Sequence, residues 1–199
     1  MIVNKKALIL KEILEDENFN ISHLKITEKE TIATNGKILL QLKNPSQELL
    51  QDFPQIEGLN STKNEVYLNK ETISKIEKNL PKKASLPILE NFVIGEDEEK
   101  ILIFLSDLEN DIKITQRKPE IDYPENLEQF YPKEFKFKIT LNYSLLKQLV
   151  KVVEKLSKDK VGITFSFTDD NTKPIKIEFN ESDVNLKGLI LPMKVREEV

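Results

Sequence analysis

One short phrase occurs three times in this chain. Two or three strand-type residues lead into an asparagine, which opens a lysine-bearing amphipathic stretch. The copies are Ile2-Val3-Asn4-Lys5-Lys6-Ala7-Leu8 running to Leu14, Tyr67-Leu68-Asn69-Lys70-Glu71-Thr72-Ile73 running to Leu80, and Thr140-Leu141-Asn142-Tyr143-Ser144-Leu145-Leu146 running to Leu156. Asn is a favoured N-cap because its side-chain oxygen accepts an otherwise unpaired backbone N–H of the first helical turn. The three Asn recur at intervals of about 70 residues, the spacing of a repeated supersecondary module. This repeat restricts the fold to an array of like units.

A chain of 199 residues holds one large domain or two small ones. With 39% hydrophobic and 32% charged residues it has the make-up of a soluble globular protein. No run approaches the roughly 20 apolar residues that span a bilayer, so no membrane partner is expected. The strand–helix phrase begins at once, which predicts no signal peptide. There is no cysteine, which excludes disulfides, thiol catalysis and cysteine-held metals. A cytoplasmic location follows as the expectation. The basic residues are nearly all Lys, with Arg only at 117 and 196, as in a thermophile or an AT-rich genome. The net charge of −4, taken alone, speaks against nucleic acid, but its distribution matters more than its sum.

Read in order, each unit predicts the pattern βαβββ. The first has a helix at 5–15 and alternating stretches at 21–27 and 31–42, the latter interrupted by Asn35-Gly36. Breakers Asn44-Pro45, Phe53-Pro54 and Gly58 mark 44–63 as a linker. The second has a strand at 65–68, a helix at 70–80 stopped by Pro81, and strands at 88–94, 100–105 and 111–117. A second Pro-bearing linker covers 118–134. The third has a strand at 135–141, a helix at 143–157, and strands at 161–168, 174–180 and 185–191. Alternation such as Phe135-Lys136-Phe137-Lys138-Ile139 is that of a half-buried antiparallel strand. The expected class is α+β, with helices on one face of antiparallel sheets. Its domains are 1–128, holding units 1–63 and 64–128, and 129–199, holding the third unit.

Phasing the helices at about 100° per residue separates two faces. In the third helix Leu145, Leu149, Val152, Val153 and Leu156 form an apolar stripe, and Lys147, Lys151, Lys155 and Lys158 lie opposite. In the second, Ile73, Ile76 and Leu80 face the sheet, while Lys75, Lys78 and Lys82 point away. The first is less regular: Lys5 and Lys11 flank a face that also carries Glu12 and Glu15. Lysine on a solvated helix face is ordinary. Equivalent positions in a repeat, within a net-acidic chain, point further. Stacked modules would join these faces into one basic surface that attracts phosphate without reading sequence.

Little else in the chain carries chemistry. With 5 glycines there is no phosphate-binding or dinucleotide Gly pattern, and no cofactor is expected. The single His23 sits on an expected strand with no nucleophile tied to it. Asp107, Glu109 and Asp111 offer a magnesium-ligand reading, as in a nuclease, against the simpler reading of an exposed acidic turn.

Four segments resemble the bacterial DNA sliding clamp, the beta subunit of the replicative polymerase. Ile32-Ala33-Thr34-Asn35-Gly36-Lys37-Ile38-Leu39 is similar to the family's A-T-D-G-x-R-L-A strand, with Asn for Asp and Ile for Arg. Leu86-Pro87-Ile88-Leu89-Glu90-Asn91-Phe92, with Leu105-Ser106-Asp107-Leu108-Glu109-Asn110-Asp111-Ile112, resembles its P-I-L-S-N and A-T-D-L-E-x-x-I pair. Tyr123-Pro124 to Pro132 resembles its Y-P-D-x-x-x-x-x-P interdomain segment. Leu189-Ile190-Leu191-Pro192-Met193-Lys194-Val195 resembles its C-terminal M-P-M-R-L.

The resemblance implies a DNA-clamp fold: a ring of βαβββ units whose helices line a hole holding duplex DNA. It puts Lys75, Lys78, Lys82, Lys147, Lys151 and Lys155 against phosphates, with Lys158, Lys5 and Lys11 as further candidates. Lysine, a point charge on a flexible stem, suits a contact that must slide. It also implies a pocket for polymerase and clamp-loader peptides, made of Thr34, Gly36, Lys37, Leu39, Pro132, Leu191, Pro192, Met193, Lys194 and Val195. Family chains are longer than this one. A ring of roughly twelve units would need four chains of three units, a homotetramer. Two other readings stand beside the non-enzymatic ring: a clamp-fold adaptor that binds peptides without closing on DNA, and a metal-dependent nuclease using the acids at 107–111.

Overall fold

The computed structural model describes all residues except 16–18, 83, 125–126, 137, 158–161, 182–183 and 194–199. The chain divides into two compact units, Met1–Glu125 and Asn126–Val199.

All three predicted N-caps form. The side-chain oxygen of Asn4 accepts from the Lys6 N–H at 3.0 Å, that of Asn69 from Thr72 at 2.8 Å and that of Asn142 from Ser144 at 2.8 Å. Asn69 opens α1 (Lys70–Asn79) and Asn142 opens α2 (Tyr143–Leu156). The helix expected at 5–15 is instead a 3-10 helix, Lys5–Ile13. Its three-residue turn eclipses side chains at i and i+3. Lys5, Leu8, Lys11 and Leu14 therefore share one row, and because Leu8 and Leu14 are buried the two lysines are drawn half into the structure.

The first unit holds two four-stranded antiparallel sheets. One is ordered β1-β6-β7-β8, from Ile2–Asn4, Asn91–Glu96, Lys100–Ser106 and Asp111–Arg117. The other is β4-β3-β2-β5, from Leu39–Lys43, Glu30–Thr34, His23–Ile26 and Val66–Asn69. The halves of this unit thus exchange their opening strands. β1 pairs with β6, placing Asn4 opposite Asn91 and Val3 opposite Phe92. β5 pairs with β2, placing Asn69 opposite His23 and Leu68 opposite Leu24. This reciprocity differs from the sequential units expected above, because pattern within a half does not specify which sheet its first strand enters. One core results, containing Val3, Leu24, Ile26, Leu68, Ile73, Ile76, Phe92 and Ile94 from both halves.

Each exchanged strand is also tied back to its own half by a glutamine. Gln47 accepts from the Ile2 N–H at 2.9 Å and donates to the Ile2 carbonyl at 3.2 Å. Gln116, on β8, accepts from the Asn69 N–H at 3.0 Å and donates to the Tyr67 carbonyl at 2.7 Å. These amides serve backbone groups that a neighbouring strand would otherwise serve.

The segment 44–63 is not a linker. It contains a 3-10 turn, Gln47–Gln51, and Leu49, Leu50, Phe53, Ile56 and Leu59 cover the outer face of β1-β6-β7 against Ile2, Val93, Leu102 and Phe104. The continuous apolar run Ile101–Leu105 is the sequence mark of a strand buried on both faces. At Gly95 the covering chain passes so close that an added Cβ would lie 1.8 Å from the Asn60 carbonyl oxygen.

The second unit is a three-stranded sheet, β11-β10-β9, from Val184–Ile190, Ile175–Glu181 and Thr164–Ser166, with α2 beside it. Ile175, Ile177 and Ile190 are its buried centre. The strand expected at 135–141 forms no ladder among the described residues. Its alternating pattern is present, but no described strand pairs with it.

Replacing Gln116 by Leu keeps the volume but strands a buried N–H and carbonyl. We expect a loss of about 2–3 kcal/mol in urea unfolding, read as a lower midpoint with unchanged slope.

Candidate nucleic-acid interface

The candidate lysines of the two α-helices fall on solvent-facing positions. Lys75, Lys78 and Lys82 are exposed, as are Lys147, Lys151 and Lys155; Lys158 lies outside the described residues. Ile73 and Ile76 are fully buried on the opposite side of α1, so its polarity was read correctly. On α2, Val153 is buried and Leu146 and Leu149 pack on the sheet, but Leu145, Val152 and Leu156 remain 41%, 47% and 41% exposed. The apolar stripe is wider than the three-stranded sheet available to cover it.

Not every candidate cation has the same standing. Lys75 is spent on Glu71 one turn away, at 2.7 Å, and this pairing holds Glu71 below the usual carboxylate range. Lys5 pairs with Glu90 at 3.0 Å and donates to the Pro81 carbonyl, and Lys11 pairs with Glu77. Lys78, Lys82, Lys147, Lys151 and Lys155 form no ion pair among the described residues. Solvent-exposed pairs contribute little energy, so an approaching phosphate can compete for Lys75.

In the first unit the end of α1 and the 3-10 helix lie side by side. Lys5, Leu8, Glu77, Leu80, Pro81 and Lys82 line a cleft of about 230 Å³. Glu77, on its lining, pairs with Lys11. Lys5 and Lys82, one from each half, therefore line one cleft with Glu77.

The peptide-pocket candidates divide between the two compact units. Thr34 is buried and its hydroxyl accepts from the Gly36 N–H at 3.1 Å. Asn35 accepts from Lys37 and Ile38 at 3.1 and 2.9 Å, and Gly36 sits at φ 81°, a left-handed conformation that suits glycine. This tight loop turns β3 into β4, pairing Thr34 with half-buried Leu39 and leaving the Lys37 ammonium exposed. In the second unit Pro132, Leu191 and Met193 are exposed and Pro192 is half-buried; Lys194 and Val195 lie outside the described residues. Leu191 lines an open apolar groove of about 450 Å³ with Leu145, Leu149, Val152, Leu186 and Leu189. The sequence places Leu145, Leu149 and Val152 on the apolar stripe of the third helix and Leu191 among the pocket candidates.

His23 is buried on β2, its Nδ1 3.2 Å from the Ser22 hydroxyl. Lys25, also buried, pairs with Glu65 at 2.7 Å and lies 5.9 and 5.7 Å from the ring centres of Tyr67 and Tyr123. Burial alone would raise Glu65, but hydrogen bonds from Lys25 and Tyr67 outweigh it and hold the carboxyl below its ordinary value. Asp107 accepts the N–H of Asn110 at 2.6 Å and of Glu109 at 3.0 Å, which lowers its pKa and accounts for the acid as a turn former. Among the described residues no group of three or more His, Asp or Glu side chains could hold a metal. No described helix is long and apolar enough to cross a membrane.

No family model and no curated protein matches the chain. Solved structures do. The DNA polymerase sliding clamp of Bacillus subtilis superposes with a TM-score of 0.66 at 13% identity, over 100% of this chain and 50% of that one. A putative DNA polymerase III beta subunit from Eubacterium rectale gives 0.66 at 13% identity, over 96% and 50%. DNA polymerase III subunit beta from Borrelia burgdorferi, in complex with a natural product, gives 0.66 at 14%, over 96% and 47%. The chain has the sliding-clamp fold and spans about half the length of these structures.

If Asp107 and its neighbours only shape a turn, millimolar magnesium leaves the unfolding midpoint unchanged. Asp107→Asn with Asp111→Asn then gives no difference in any nuclease assay against the parent.

Proposed function

We propose that this protein is a non-enzymatic DNA sliding clamp, a cytoplasmic processivity factor for replication. It encircles duplex DNA as a homo-oligomeric ring, a tetramer by count of units, and tethers a polymerase or other DNA enzyme. The observation that carries this reading is a coincidence of two independent features. The whole chain follows the clamp fold, and its two α-helices turn Lys75, Lys78, Lys147, Lys151 and Lys155 to solvent, with Ile73 and Ile76 of α1 and Val153 of α2 buried.

Physically, such a site positions and does not specify. Lys78, Lys82, Lys147, Lys151 and Lys155 offer exposed ammonium groups on flexible stems, with Lys75 available by exchange from Glu71. Contacts of this kind bind phosphate through counterion release and are readily exchanged between neighbouring phosphates. Lys5 and Lys11 contribute less directly, since Glu90 and Glu77 already neutralise them. The candidates for polymerase and clamp-loader peptides are, taken in each unit by itself, Thr34, Gly36, Lys37 and Leu39 in the first and Pro132, Leu191, Pro192 and Met193 in the second.

The exposed Leu191 and Met193 also suit the adaptor reading, in which peptides bind without a ring on DNA. Charge reversal separates the two. With Lys147, Lys151 and Lys155 all changed to Glu, a clamp loses retention on closed circular DNA at least ten-fold. The dependence of affinity on salt weakens by about 0.9 in log–log slope per lost contact. An adaptor shows no change in either. Glu77→Gln should have the opposite sign, strengthening DNA association by freeing Lys11, as measured by fluorescence anisotropy at low salt.

A further inference from the structure

The second compact unit is built like one half of the first. Each half of Met1–Glu125 has an opening strand, an Asn-capped helical segment and a three-stranded meander. The opening strand is tied to the last part of its own half by Gln47 or Gln116, and its ladder is made with the first meander strand of the other half. In Asn126–Val199 the same tie exists: the Met193 N–H, just past β11, donates to the Thr140 carbonyl at 2.8 Å. Ile139 and Leu141 pack on the buried centre, as Val66 and Leu68 do in the first unit. Among the described residues the ladder is missing: 138–141 pair with no strand, and β9 pairs with β10 alone.

We propose that two copies of this protein join through this unit, each giving residues 138–141 to the β9 edge of the other. The exchange is reciprocal, so a twofold axis satisfies both open edges at once. The first unit supplies the register. There the residue before the capping Asn faces the first core residue of the receiving strand, Val3 against Phe92 and Leu68 against Leu24. The core-facing residues around β9 are Ile163 and Phe165. Leu141 then lies opposite Ile163 of the second copy, Thr140 opposite Thr164, and Ile139 opposite Phe165. In the first unit the helical segments of the two halves meet across the shared core, bridged by Lys11 and Glu77. The same arrangement brings two α2 helices together and covers Leu145, Val152 and Leu156, which one half leaves exposed. The surface asks for a second βαβββ half, which an extended peptide does not provide.

This inference names a joint for the proposed ring, but it requires no DNA and is tested without it. The chain has no cysteine, so single substitutions report unambiguously. Thr140 and Thr164 are both exposed, and directly opposed strand residues lie about 4.5–5.5 Å apart, within disulfide reach. Thr140→Cys and Thr164→Cys are prepared separately and oxidised alone and mixed. The expected result is a covalent dimer in the mixture and none in either protein alone. In parallel, Thr140→Glu with Thr164→Glu sets like charges opposite each other and should weaken self-association at least ten-fold by sedimentation. Thr140→Glu with Thr164→Lys should restore it, and circular dichroism should show all variants folded. A parent that sediments as a monomer at micromolar concentration overturns the proposal, as it would if the groove were covered by a different polypeptide. Equal cross-linking with and without mixing also overturns it. Loss of DNA retention with the cross-link intact would remove the clamp reading and leave the joint standing.

Discussion

Reciprocal pairing of opening strands is the constraint on which the first unit depends. β1 and β5 belong by sequence to one half and by hydrogen bonding to the other. Neither half could bury its helical segment on its own meander alone, since Val3 and Leu68 reach the core only through the borrowed position. The three Asn caps fix where each opening strand ends and its helix begins. The cap is thus a register mark for the ladder as well as a helix start: Asn4 and Asn69 each close the pairing that precedes them. Gln47 and Gln116 then supply, from side chains, the bonds on the strand's other side.

Much of this was legible in the residues. Asn4, Asn69 and Asn142 were identified as caps from the repeat alone, and the buried face of α1 followed from the spacing of Ile73, Ile76 and Leu80. What escaped were features decided at long range. The 3-10 winding of Lys5–Ile13, and with it the ion pairs of Lys5 and Lys11, depends on packing against segments about 70 to 90 residues away. The role of 44–63 was hidden by its Pro and Gly content, although Phe53 and the unbroken run Ile101–Leu105 were signs of a second apolar layer. The alternation at 135–141 was taken for a strand because periodicity reports which face is apolar. It does not report whether an edge is present to receive it.

The candidate interface shows a similar division. Which lysines face solvent was readable from helical phase. Which of them carry uncompensated charge was not, because Glu71, Glu77 and Glu90 neutralise three of the nine from the same strand-and-helix framework. This chain's charge is therefore distributed more finely than a basic face against an acidic sheet.

The exchange of strands also dictates when the first unit can take shape during synthesis. Ile2–Asn4 must wait for Asn91–Val93, and His23–Ile26 for Val66–Asn69, before either ladder can close. A nascent chain therefore carries an unpaired sheet border for most of the time this unit takes to emerge. Its folding should be slow and all-or-none, governed by loop closure.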